Sequence, residues 1–192
     1  MDNLYGNPHS ASQASQRSTQ QVQDVRLQLL RFFDADPDDF DLVFVANATA
    51  GIKLVAEALR EHESGFWYGY HRDAHTSLVG VRELAQDHHC FKEDREVEDW
   101  IEQGRQDTQT RLGLFAYPAQ SNMNGRRLPL DWCGRMRRKG MLTLLDAAAL
   151  LSTSPLSLTN LDTAPDFTVL SLYKIFGFPD LGALIVRKDA AW

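Results

Sequence analysis

The sequence predicts an α/β fold on a mostly parallel sheet, and three observations carry that prediction. Short apolar runs alternate with stretches of helical periodicity along the chain, as happens when each strand returns through a helix. "DLVFVA" (41–46) is short, apolar and β-type, which reads as a buried strand. Polar residues gather just after several of the strand-like runs, where ligands sit in such sheets.

The elements follow in order. Residues 11–33 carry Val22, Val25, Leu29, Phe32 and Phe33 at helical spacing. "DADPDD" breaks that helix before the strand 41–46. Asn47 is placed to cap a helix reaching about Arg60, with Ile52, Leu54, Val55 and Leu59 on its inner side. "GFWYGY" (65–70) is the next strand, and "HTSLVGVRELAQ" (75–86) the next helix. Residues 94–105 form a polar surface helix, and "RLGLFAYP" (111–118) is a strand ahead of the loop "AQSNMNGRR". Residues 128–140 read as a helix with proline near its start and glycine at its end. Strands are expected at 141–150, 164–173 and 182–188.

The 192 residues suit one domain, or one domain and part of another. An apolar fraction of 43% with 24% charged residues describes an ordinary globular protein. A net charge of −6 with scattered cations offers no footprint for nucleic acid. No apolar run is long enough to cross a bilayer, and the N-terminus lacks the pattern of a signal peptide. Cys90 and Cys133 make neither a disulfide framework nor a metal pattern, and both are expected to be buried core thiols. "HHC" (88–90) has no second ligand pair, so no metal is expected. A reducing, cytoplasmic setting is the default.

Five places carry candidate chemistry. Asn47 and Thr49 stand where a helix begins, a ready site for an anion such as phosphate, although a plain cap looks the same. His75 stands just before a helix, where it can cap, bind a ligand or lay its ring on a flat cofactor. Asn122 lies in a loop, where it either shapes a turn or donates to a ligand oxygen. Asp146 ends an apolar strand ahead of three alanines. A carboxylate there needs a cation, either a neighbouring Arg or Lys or a protonated pyridine nitrogen. In "SLYKIFGFPDLG" (171–182) a single lysine, Lys174, lies among apolar residues. It either snorkels to water or is held as a neutral amine able to form a Schiff base. Phosphate cup, carboxylate and lysine in this chain order favour pyridoxal phosphate.

The stretches "NLYGNPHS", "FVANATAGIKLVAE", "YHRDAHTSLVGVRE", "FAYPAQSNMNGRRLPLDW", "LLDAAALLSTSPLSL" and "PDFTVLSLYKIFGFPDLGALIVRK" resemble the pyridoxal-phosphate domain of the molybdenum cofactor sulfurase family, a cysteine-desulfurase-like branch of the class V aminotransferases. The resemblance covers nearly the whole chain. It implies a three-layer α/β/α large domain like that of aspartate aminotransferase, with one antiparallel strand in the sheet, incomplete at both ends. It implies that Lys174 forms the Schiff base, Asp146 pairs with the pyridine nitrogen and His75 stacks on the ring, with a possible acid/base role. Asn122 would meet the ring oxygen, and Ala48, Thr49 and Ser171 the phosphate.

The resemblance further implies L-cysteine as substrate. The molybdenum cofactor would be the sulfur acceptor, through an enzyme persulfide and a C-terminal domain beyond Trp192. The small subdomain, the persulfide cysteine and the substrate-carboxylate arginine are also expected outside these residues, and the complete protein is expected to be a homodimer. Tyr173 stands where bacterial cysteine desulfurases carry histidine, and Ala149 where they carry glutamine. Both departures suit the molybdenum branch. The alternatives are another class V aminotransferase, cysteine desulfurase or selenocysteine lyase, and, from another class, a catalytically incompetent binding or dimerisation module.

Overall fold

Seven strands form one sheet in the order β1-β7-β6-β5-β4-β2-β3. They are β1 (Phe40–Val45), β2 (Phe66–His71), β3 (Asp87–Phe91), β4 (Leu112–Pro118), β5 (Leu142–Asp146), β6 (Phe167–Ser171) and β7 (Gly182–Arg187). Strands β2 to β6 pair in parallel, and β7 runs antiparallel between β6 and β1. This is the expected mostly parallel sheet with one antiparallel strand. The computed structural model describes residues 4–104 and 112–190.

The helices are α1 (Gln13–Phe32), α2 (Ala48–Arg60), α3 (Thr76–Val79), α4 (Asp94–Gln103), α5 (Trp132–Arg137) and α6 (Leu172–Phe176). Because strand side chains alternate, the sheet serves two cores. Tyr68, Leu114, Leu144 and Val169 face Ile52 and Val55 of α2 and Leu78 of α3. Phe115, Tyr117 and Leu145 face Leu30 of α1, Ile101 of α4 and Trp132 of α5. Three α/β/α layers result, as expected.

Several elements depart from the sequence expectation. "DLVFVA" is an edge strand rather than a fully buried one, and Val43 is 37% exposed. In α1, Val22 and Phe32 face outward, while Ser15 and Ser18 are buried. That end of the helix docks by polar contacts, since Ser18 Oγ donates to Gly6 O at 2.6 Å. In α2, Leu54 is exposed while Ile52, Val55 and Leu59 are buried. The helix expected over 75–86 is one α turn followed by a 3₁₀ turn at Gly80–Glu83. Strand β3 was not expected, because its residues Asp87, His88 and His89 are polar; it is an edge strand with that end exposed. The helix expected over 128–140 narrows to α5. The strands expected over 141–150 and 164–173 stop at Asp146 and Ser171. Arg105 and Arg111, the ends of an expected helix and strand, lie outside the described residues. Cys133 is a buried thiol as expected, whereas Cys90 is only half-buried.

Candidate active site

Alternation along β5 and β6 puts Leu144 and Asp146, and Val169 and Ser171, on the face that α2 and α3 cover. Both strands end at polar residues, so chemistry collects at the carboxyl edge of that face. A cavity of about 170 Å³ lies there. Its lining includes all seven residues to which the resemblance gives a role: Ala48, Thr49, His75, Asn122, Asp146, Ser171 and Lys174. Asn47, Ser77, Ala148 and Ala149 complete it. A larger cavity of about 420 Å³ lies elsewhere, beside Asp34, Asp36 and Asp39. Asp34 and Asp36 are exposed carboxylates, so nothing there is held out of water as Asp146 is.

Asp146 is buried, 7% exposed, and is the one carboxyl lining this cavity among the described residues. Its Oδ1 accepts one hydrogen bond, from Ala148 N at 3.0 Å. No cation lies within ion-pair distance among the described residues. Burial pushes the carboxyl above its ordinary range, and the Ala148 N–H and the charges of His75 and Lys174 pull against that. The carboxylate therefore has room for a cationic partner that the protein does not provide.

The phosphate-like end is built by helix α2. Asn47 is its N-cap, and its Oδ1 accepts from Ala50 N at 2.9 Å. The first-turn N–H groups of Ala48 and Thr49 lie at the positive end of a 13-residue helix dipole. Gly182 lets strand β7 approach the α2 cap and β6 closely here: a Cβ on it would lie 2.8 Å from the Asn47 carbonyl carbon and 2.8 Å from Leu170 O. A side chain at 182 would push the cap off strand β7.

His75 caps α3, one of the roles its place before a helix allowed, and Ser77 N donates to its Nδ1 at 3.2 Å. An accepting Nδ1 places the proton of the neutral ring on Nε2. Tyr68 OH donates to Leu78 O at 2.8 Å, which fixes α3 to the sheet. Ser77 was not anticipated, although its place two residues after a capping histidine is the signal that would have found it. Asn122 is exposed, in the tight loop after β4.

Lys174 departs from the expectation of an apolar-lined amine. It sits on α6, which starts directly after Ser171 and ends at Gly177 with φ of +80°. A single helical turn sends its residues in every direction. Leu172 is buried, but Lys174 is exposed, and Tyr173, Phe176 and Phe178 are 60%, 43% and 56% exposed. The aromatic residues that flank it in sequence do not enclose it in space.

A doubly covered sheet with a lysine, a buried carboxyl and a helix N-terminus at one cavity defines a class. The class-V aminotransferase family matches residues 1–191, and the chain belongs to that family. Among its relatives it is similar to a molybdenum cofactor sulfurase of Aspergillus clavatus, 67% identical over 98% of this chain and 23% of that protein. It is 66% identical to one of Aspergillus terreus, over the same shares. The chain thus spans about a quarter of the length of these curated relatives. In fold it is similar to a NifS-like protein from Rickettsia africae, with a TM-score of 0.80 and 16% identity, over 95% of this chain and 51% of that one. Among the described residues, no helix is long and apolar enough to cross a membrane.

Proposed function

We propose that this chain is the cofactor-binding part of a pyridoxal-phosphate-dependent cysteine desulfurase that supplies sulfur to the molybdenum cofactor, working in the cytoplasm as a homodimer. The observation that carries the reading is the single-bonded buried Asp146 sharing one cavity with Lys174. The residues fit the cofactor. A cavity of about 150 Å³ holds one aromatic ring, and this one has an anion-favouring end at α2 and a carboxyl with no cation. Pyridoxal phosphate, when bound, supplies an electron sink that weakens bonds at the substrate's carbon atoms.

Each residue then has a role. The N–H groups of Ala48 and Thr49, with the Thr49 and Ser171 hydroxyls, bind the phosphate. Asp146 holds the proton on the pyridine nitrogen. Asn122 donates to the ring oxygen, and His75 covers the ring face with a proton available on Nε2. Lys174 would hold the cofactor through its Nζ as a Schiff base, with loss of the aldehyde oxygen as water, and its amine would be the group placed to move protons beside the substrate. The molybdenum cofactor as sulfur acceptor agrees with the names of the relatives, and L-cysteine is the sulfur source this reading proposes. The exposed Tyr173, Phe176 and Phe178 beside Lys174 are the face a second copy would cover.

A visible absorbance spectrum of the chain with pyridoxal phosphate tests this, measured beside Lys174→Ala. The expected result is a band that borohydride removes and that the variant lacks. A folded chain that shows no such band, or a variant that shows the same one, would sink the reading.

A further inference from the structure

Outside the cavity, a charged cluster joins three segments that contribute to it or support it. Arg126, at the end of the Asn122 loop, donates from Nε and Nη2 to Asp73 Oδ2 at 3.0 and 2.8 Å. Its Nη1 donates to Asp94 Oδ2 at 2.7 Å. Asp73 lies two residues before His75, and Asp94 opens α4. The other oxygen of Asp94 lies 3.2 Å from Nε2 of buried His71, whose Nδ1 accepts from Asp73 N at 3.1 Å. One guanidinium thus spans two carboxylates, and one of those carboxylates also faces an imidazole.

The loop carrying Asn122 is also held from within, by backbone bonds and by the Ser121 and Asn124 side chains, and Arg127 ties its far end to Ser154 Oγ. Ser121 N donates to Arg126 O at 2.8 Å and Gly125 N to Ser121 O at 3.0 Å. At its base, Ala119 N donates to the carbonyl of Asp146 at 2.8 Å. The base is therefore tied to the strand bearing Asp146, and the tip is tied through Arg126 to the turn bearing His75.

Resting on the proposed pyridoxal-phosphate reading, we infer that Arg126 is a positioning residue: its fork across Asp73 and Asp94 sets Asn122 and His75 in register at the cavity. An isolated surface ion pair contributes little. This one differs because a rigid fork makes three charge-assisted bonds to two carboxylates on separate elements. Lysine has no such fork and cannot replace it.

Amide hydrogen exchange of the full chain tests the tie without any cofactor. In Arg126→Ala, exchange should rise roughly tenfold in both 120–127 and 72–77, with the strands β4 and β5 unchanged. Arg126→Lys should show most of the same rise. An unchanged 72–77 segment in Arg126→Ala overturns the inference. Should Arg126→Ala unfold, seen as uniform exchange, Asp73→Asn breaks only the branch to the His75 turn and carries the same expectation.

A titration with pyridoxal phosphate, read by absorbance, tests the consequence. Arg126→Ala should bind roughly tenfold more weakly, Asn122→Ala should lose affinity too, and the double variant should lose less than the two single losses combined. Fully additive losses overturn the inference. A wild-type chain with no absorbance band counts against the proposed function instead, and the exchange experiment still decides the tie.

Discussion

Two buried aspartates on the same sheet have opposite surroundings. Asp166 precedes β6 at the amino end of the strands and is 3% exposed. Its Oδ2 accepts from Thr143 N and from Thr143 Oγ1, both at 2.8 Å, and Arg137 Nε lies 3.0 Å from its Oδ1. Asp146 ends β5 at the carboxyl end, is almost as buried, and accepts one bond. Burial raises both carboxyls, but Thr143, Arg137 and Arg187 counter it at Asp166, whereas at Asp146 one N–H and two more distant charges do so. The protein completes the first group for its own fold and leaves the second open. A buried carboxylate with missing partners is costly to keep, so the incomplete one is where the proposed cofactor would complete the structure.

The widest separation between the two should appear on substitution. Asp166→Ala leaves both Thr143 donors without their acceptor and takes one of the partners of Arg137, which keeps Leu161 O, and is expected to destabilise the chain by about 2–4 kcal/mol. Asp146→Ala removes an underpaired buried charge and is expected to cost no more than about 1 kcal/mol, while abolishing the cofactor's absorbance band. Urea denaturation and the spectrum together read both effects. Equal losses of stability in the two variants would show that Asp146 is structural as well.

The comparison also shows what was legible in the sequence. Asp146 and Asp166 both border apolar strands, and the sequence leaves an Arg or Lys partner open for Asp146. That partner exists on the other aspartate, because which end of a strand a residue occupies decides what it meets. Strand ends were readable from the "LLDAAAL" and "VANATAG" stretches, so the cavity residues could be collected from sequence. The environment of Lys174 could not, since a one-turn helix after β6 scatters neighbours that a strand would have kept on two faces. Strand β3 was hidden by its polar edge residues, and the reach of Arg126 to Asp73, 53 positions away, leaves no trace in local spacing.

A smaller effect dissects the completed aspartate. Thr143 Oγ1 donates to Asp166 Oδ2 and accepts from Asp166 N at 3.0 Å. Thr143→Val keeps the shape, loses both bonds and strands the Asp166 N–H, at about 1–3 kcal/mol. The cofactor band should be unaffected, because Thr143 faces away from the cavity. Loss of the band at full folding would break the division between the two ends of the sheet.

The finest difference is in pH. A carboxyl whose folded value is raised binds its proton more tightly folded than unfolded. The folded state then holds extra proton between the ordinary carboxylate range and the raised value, so stability falls as pH climbs through that window and stays reduced above it. Asp166 shares this direction, but it is present in both proteins when wild type is compared with Asp146→Asn, and its contribution cancels. The variant should therefore gain on wild type as pH rises across the window, read from urea midpoints at a series of pH values without cofactor. A cationic ring beside Asp146 favours the charged form, so adding pyridoxal phosphate should shrink the wild-type slope and leave the variant's unchanged. A difference that stays flat with pH, in the absence of cofactor, would mean that Asp146 is not held out of its ordinary range, and the argument from an incomplete carboxylate would go with it.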